Sequence, residues 1–149
     1  MNKTELLSGI KSNLGNKVLH WHEKSPNRIY FDINPKDIVD VAKFFYNHKK
    51  ARFNIASGVD TPKGIEILYH FTLDNVGIVF SVRALLVDKK KPEINSIASL
   101  FKGAIWIERE MWELLGVNFI GHPELKHLLL DDAWPKGQYP LRRDYKGDK

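Results

Sequence analysis

The 149-residue sequence contains no cysteine. That absence removes disulfides, thiolate nucleophiles, cysteine-ligated zinc and cysteine-ligated iron–sulfur clusters together. Any redox cofactor this chain serves is therefore expected on another chain. Long apolar runs are missing too: nowhere do ~18 apolar residues follow one another, the length a membrane-crossing helix needs. The opening stretch MNKTELLSGIKSNLG lacks the apolar core of a secretory leader, so the cytoplasm or a cytoplasmic membrane face is the expected location. No glycine-rich phosphate loop, helix-turn-helix, zinc finger or glycine–aromatic RNA motif stands out, and no internal repeat or low-complexity tract.

What is present describes one folded domain. Hydrophobic residues make up 43% and charged residues 28%, enough for a core under an ordinary surface. The net charge of +5 suits nucleic acid, anionic lipid or an acidic protein equally, because a long-range field does not distinguish them.

Asn2 with Glu5 has the spacing of a capping box, and Leu6, Leu7, Ile10 and Leu14 form a stripe that stops at Gly15, which predicts an amphipathic helix on a sheet. Residues 17–23 alternate, and Ser25-Pro26-Asn27 turns them into residues 28–33: a β-hairpin. His20 and His22 share one side of it, but without a third ligand nearby they read as polar strand residues. Asn34-Pro35 and Asp37 open a second helix whose stripe is Ile38, Val41, Ala42 and Phe45; His48, Lys49 and Lys50 complement its C-terminal dipole.

From Ala51 the period changes to two. ARFNIAS, a turn through Gly58, Asp60, Thr61, Pro62 and Gly64, then IEILYHFTL, a turn at residues 74–77, and IVFSVRALLV predict an antiparallel meander. Arg83 interrupts the last strand, so one face there is wet or covered by a partner. Asn95 or Ser96 caps a following segment carrying Ile97, Leu100 and Phe101, and Gly103-Ala104 separates it from a helix opening at Trp106. Two short helices or one bent one fit equally.

Residues 106–130, WIEREMWELLGVNFIGHPELKHLLL, carry the densest mixture of charge and large apolar side chains. On a helix Trp106, Glu110 and Glu113 share one face and Ile107, Met111 and Leu114 another, while Arg109 reaches Glu113 at a four-residue spacing. Gly116 ends the helix, and Gly121-His122-Pro123 makes a sharp turn. Glu110 and Glu113 have the makings of an acid–base pair, but no nucleophile or phosphate loop accompanies them. His122, His127, Asp131 and Asp132 lack the spacing of a metal site. The final DDAWPKGQYPLRRDY has no periodicity and reads as an extended arm. Its Arg142 and Arg143 with Trp134, Tyr139 and Tyr145 would suit a nucleic-acid arm, the competing class, which predicts salt-sensitive binding to generic DNA or RNA.

Several of these residues occur in an ordered series that resembles one family. Trp106-Ile107-Glu108-Arg109-Glu110, Glu113-Leu114-Leu115-Gly116-Val117, Phe119, Gly121-His122-Pro123, Leu125, Leu129-Leu130, Trp134 and Pro140-Leu141-Arg142-Arg143-Asp144-Tyr145 are similar to the C-type subunits of respiratory complex I, the NADH-quinone oxidoreductase. That family is shared with membrane-bound energy-converting nickel–iron hydrogenases. Ser57-Gly58-Val59-Asp60 before Tyr69-His70-Phe71 adds weaker support, so the likeness covers residues 28–145. It implies a noncatalytic structural subunit of a membrane-bound oxidoreductase, binding no cofactor itself and packing in the peripheral arm at the cytoplasmic face. Its partners would be a large hydrogenase-like subunit of the D type and a small iron–sulfur subunit, with the membrane arm reached indirectly and no nucleic acid. Iron–sulfur clusters, and a nickel–iron centre in the hydrogenase branch, would sit in those partners. Glu108, Arg109, Glu110, Glu113, His122, Pro123, Arg142, Arg143 and Asp144 would maintain helix and arm at the interface between subunits. Met111-Trp112-Glu113-Leu114-Leu115 before Gly116, Lys126-His127 in place of an arginine pair, and an end just past Tyr145 resemble the hydrogenase branch more than an NADH or other donor:quinone oxidoreductase.

The expected architecture is α+β: a two-layer domain over residues 1–130, with a mostly antiparallel mixed sheet of about five strands and helices on one face, and an extended arm over residues 131–149.

Overall fold

The computed structural model describes residues 2–147. Helix α1 (Lys3–Leu14) begins where Asn2 accepts the Glu5 amide while the Glu5 carboxylate accepts the Asn2 amide, the expected capping box. Strands β1 (His20–Ser25) and β2 (Arg28–Ile33) form the expected antiparallel hairpin. The second helical segment is less regular than its stripe suggests. A 3₁₀ turn (Pro35–Asp37), a short α-helix α2 (Ile38–Lys43) and a π-helical turn (Phe44–His48) follow one another, with Asn34 capping the first. The π turn closes through Ala51 N–H to the Phe45 carbonyl at 2.9 Å.

The meander is β3 (Arg52–Thr61), β4 (Gly64–Leu73) and β5 (Ile78–Leu86). The sheet order is β1-β2-β5-β4-β3, antiparallel except where β2 runs parallel to β5. Alternation sends Phe31, Tyr69, Phe71, Phe80 and the neighbouring Ile and Val residues to one face, where Phe45 stacks on Phe71 at 4.8 Å and the helices close a single core. Each such buried side chain stabilises the fold by about 1.5–3 kcal/mol. Arg83 explains the break in β5: on the opposite face it bridges Asp32 and Glu66, both at 3.0 Å, tying β2, β5 and β4 together. At 38% side-chain exposure this wet network is worth at most about 1 kcal/mol per pair.

Three local expectations are corrected. Gly58 and Asp60 are not turn residues; β3 continues through them, and the turn is Thr61-Pro62-Lys63-Gly64, closed by Thr61 Oγ1 between the Gly64 amide and carbonyl. Gly58 is required for packing. A Cβ there would lie 2.6 Å from Leu115 Cδ1 and 3.1 Å from Met111 Sδ, so glycine lets α3 (Ala104–Leu115) lie directly on β3. Residues 96–101 form turns, not a helix, after a short strand β6 (Glu93–Asn95), and the helix expected from Trp106 already starts at Ala104. Strand β6 pairs in parallel with β7 (Asn118–Ile120), a two-stranded sheet too short to leave a periodic trace.

Replacing Gly58 with valine is expected to force α3 off β3 at a cost of about 1–3 kcal/mol. Thermal unfolding should show it as a fall in Tm of about 2–4 °C per kcal/mol; an unchanged midpoint would contradict the close approach.

Candidate functional site: a helix that holds a loop and an arm

Helix α3 ends at Gly116, whose φ of 77° is the left-handed cap a glycine reaches without a Cβ penalty. Beyond β7 the chain from Gly121 through Leu130 has no helix or strand, so its backbone groups need partners from elsewhere. Side chains of α3 supply them.

Arg109 and Glu113, four residues apart, do not pair with each other as expected. The Arg109 guanidinium donates to the carbonyls of Lys126 at 3.0 Å and His127 at 2.6 Å. The Glu113 carboxylate accepts the amides of Leu128 at 3.0 Å, Leu129 at 2.8 Å and Leu130 at 3.2 Å, with His127 Nδ1 at 3.2 Å. A cation thus takes the carbonyls of one loop and an anion takes the amides that follow. Burial pushes the Glu113 carboxyl up, but the three amides and His127 outweigh it and hold it below its ordinary range. That rules out the acid–base reading of Glu110 with Glu113: a strongly acidic carboxylate already occupied by internal donors is a poor proton donor.

Glu108 is fully buried on another side of the helix, accepting the Ser96 hydroxyl and, at 3.0 Å, the Ile97 amide. It thereby fixes the turn after β6. His122 lies 4.0 Å from it, with Nε2 donating to the Ile105 carbonyl at 2.8 Å and Nδ1 accepting the Glu124 amide at 2.9 Å, which assigns a neutral imidazole. Burial raises the Glu108 carboxyl to about 7 against the opposing Ser96 and Ile97 hydrogen bonds. The Tyr69 hydroxyl is buried without a hydrogen-bond partner, and burial first and the Glu108 charge second hold it well above its ordinary range.

The arm is fastened at the C-terminal end of α3. Leu141 N–H donates to the Leu114 carbonyl at 3.0 Å, and Arg142 donates to the Leu115 carbonyl and, at 3.1 Å, to that of Lys89. Arg142 therefore serves the open end of the helix, where cations are favoured. Arg143 joins through its backbone, its amide donating at 2.9 Å to Asp60, which also meets Lys89 Nζ at 2.6 Å. The Tyr139 ring lies so close over Gly116 that a Cβ there would come within 2.6 Å of it.

The structure thus gathers Glu108 with His122, Arg109 with Glu113, and Arg142 with the end of α3. It leaves Pro123, Arg143 and Asp144 exposed and Glu110 half-buried with no polar partner among the described residues. Sequence reasoning missed Ser96, Lys89 and the anchoring role of Asp60, the last of which the Ser57-Gly58-Val59-Asp60 stretch signalled. Among the described residues, no three His, Asp or Glu side chains lie where they could hold one metal ion.

Glu113→Gln replaces an acceptor of three amides with a group that also presents donors, at a cost of about 1.5–3 kcal/mol. The amides of Leu128, Leu129 and Leu130 should then exchange faster, and exchange rates equal to the parent would refute the anchor. The two carboxylates bend stability with pH in opposite senses. The lowered Glu113 contributes stability above its unfolded value, lost as pH falls through the folded one. The raised Glu108 takes up a proton on folding, so stability falls as pH rises from its ordinary value of 4.5 to about 7. Denaturant titrations from pH 5 to 8 should show that decline in the parent and a flatter profile in Glu108→Gln.

A profile of the family described as "Respiratory-chain NADH dehydrogenase, 30 Kd subunit" matches residues 31–149. The C subunit of the F(420)H(2) dehydrogenase of Methanosarcina mazei is 43% identical over 93 residues, 61% of this chain and 58% of that protein. The C/D subunit of the NADH-quinone oxidoreductase of Phocaeicola vulgatus is 40% identical over 85 residues, 56% of this chain and 16% of that much longer protein. The chain therefore spans less than two thirds of the length of these relatives. The fold is shared with a chain of the membrane-bound sulfane sulfur reductase, an archaeal respiratory membrane complex, at a TM-score of 0.78 and 22% identity over 96% of this chain and 85% of that one. With the motif-bearing helix, the loop it holds and the arm all inside the matched span, the chain belongs to the respiratory-chain NADH dehydrogenase 30 kDa subunit family, the C-type subunits of complex I.

Proposed function

We propose that this chain is a structural subunit in the peripheral arm of a membrane-associated, complex I-related oxidoreductase. In this reading it sits at the cytoplasmic face against a large subunit of the D type and beside a small iron–sulfur subunit. The observation that carries the reading is how the charges of α3 are used. Glu108, Arg109 and Glu113 are buried and occupied by the chain's own backbone and side chains, which leaves them nothing to do in chemistry and much to do in holding a loop and arm in place. Around them large apolar side chains stay in water: Trp106 is 68% exposed, Leu129 65% and Leu141 56%. Such residues on irregular but tightly held backbone suit a contact with another subunit.

The Phocaeicola relative, whose name joins C and D in one protein, supports placing a D-type subunit against this chain. None of the helices among the described residues is long and apolar enough to cross a membrane, so the proposal assigns membrane attachment to the partners. Redox cofactors belong to those partners too, since this chain has no cysteine to ligate a cluster.

For the branch, the Trp112-Glu113 form of the helix supports an energy-converting nickel–iron hydrogenase. The 43% identity to part of an F(420)H(2) dehydrogenase supports a second reading, a dehydrogenase that delivers electrons to a quinone-type acceptor.

Affinity purification of the tagged chain from its native membranes in mild detergent tests the assignment. A large D-type subunit and a small iron–sulfur subunit are expected to co-elute, and recovery of the chain alone would end the proposal. Hydrogen-dependent dye reduction by that complex would select the hydrogenase branch, whereas activity with a reduced organic donor only would select the other.

A further inference from the structure

The sheet has two edges, and they differ in how they are guarded. Strand β1, HWHEKS, is six residues long, carries Glu23 and Lys24, and has a register shift between Glu23 and Ser25. Charge, shortness and irregularity are the usual means by which an edge avoids pairing with foreign strands. Strand β3 at the other edge is ten residues long, and between Arg52 and Asp60 it reads FNIASGV without a charge or a proline. Its register shift falls at the start, between Phe53 and Ile55, and leaves the rest regular. It pairs only with β4, and no backbone hydrogen bond from a loop or arm among the described residues reaches residues 53–59. On this edge Ile55 is 52% and Val59 51% exposed.

Beside it runs a cleft of about 230 Å³ formed by Ile55 and Gly58 of β3, Ile107, Glu110 and Leu114 of α3, and Leu141 of the arm. The walls are apolar except for Glu110, whose carboxylate has no cation among the described residues. An occupant that removed it from water without pairing it would face a penalty of several kcal/mol. A second copy of this chain, pairing β3 with β3, would present the uncharged FNIASGV and leave Glu110 unmatched. The occupant must bring a cation.

We infer that the free edge of β3 accepts an extended segment of a partner subunit as a sixth strand, with apolar side chains seated in the cleft and a Lys or Arg opposite Glu110. Backbone pairing supplies affinity, and the cleft and Glu110 select the sequence, as in other cases of strand addition. This rests on the proposed function, because the partner is a subunit of that complex.

Amide hydrogen exchange read by mass spectrometry on the full chain, alone and in the purified complex, tests the inference. The outward amides of residues 53–59 should exchange quickly in the free chain and at least about tenfold more slowly in the complex. Ile55→Lys and Glu110→Lys, both at positions in contact with water, should each lower recovery of the partner at least tenfold while leaving Tm unchanged. An intact complex in which residues 53–59 exchange as fast as in the free chain overturns the inference alone, as does normal recovery of the partner with Ile55→Lys. A free chain that is dimeric with these amides protected assigns the edge to a second copy and overturns it too. If no partner co-purifies with the parent chain, the proposed function falls and the inference falls with it.

Discussion

The organisation of the C-terminal third depends on one division of charge. A helical Arg with a Glu four residues on would ordinarily form a surface ion pair worth about 0.3–0.5 kcal/mol. Here Arg109 and Glu113 turn instead to one irregular loop, the guanidinium to two carbonyls and the carboxylate to three successive amides. The gain exceeds a surface pair because each side chain matches several backbone groups that would otherwise be buried unpaired, at about 1–3 kcal/mol apiece. A stretch without helix or strand is held as firmly as an element of regular structure.

The other fastenings extend the same principle. Glu108 holds the turn after β6, His122 clips the loop to the start of α3, and Arg142 takes the carbonyls at its end. One twelve-residue helix lying on β3, made possible by the bare backbone at Gly58, thus sets the position of a turn, a loop and an arm. The charged motif is an internal frame, and what it displays to the outside is apolar: Trp106, Leu129 and Leu141. That distribution fits a subunit whose contribution to an electron-transfer complex is shape.

Much of this is legible in the residues. The capping box at Asn2, the stripe through Ile38, Val41, Ala42 and Phe45, the period-two strands and the glycine stop at residue 116 are local signals, and each appears where the pattern places it. Gly58 and Asp60 read as turn residues because glycine and aspartate favour turns locally, while their reasons here are non-local: a helix pressed against one and an arm amide bound to the other. The i,i+4 spacing of Arg109 and Glu113 shows that they share a face but not that backbone groups more than a dozen residues away compete for them and win. The pairing of β6 with β7 is equally hidden, since three-residue strands carry no periodicity.

A charge-swapped double variant, Arg109→Glu with Glu113→Arg, tests the central claim most directly. Carbonyls and amides cannot exchange roles as side chains can, so the swap should leave the amides of Leu128, Leu129 and Leu130 exchanging as fast as either single substitution does. Restoration of parental protection in the swapped protein would show that the two residues act as an ordinary ion pair, and would contradict the account.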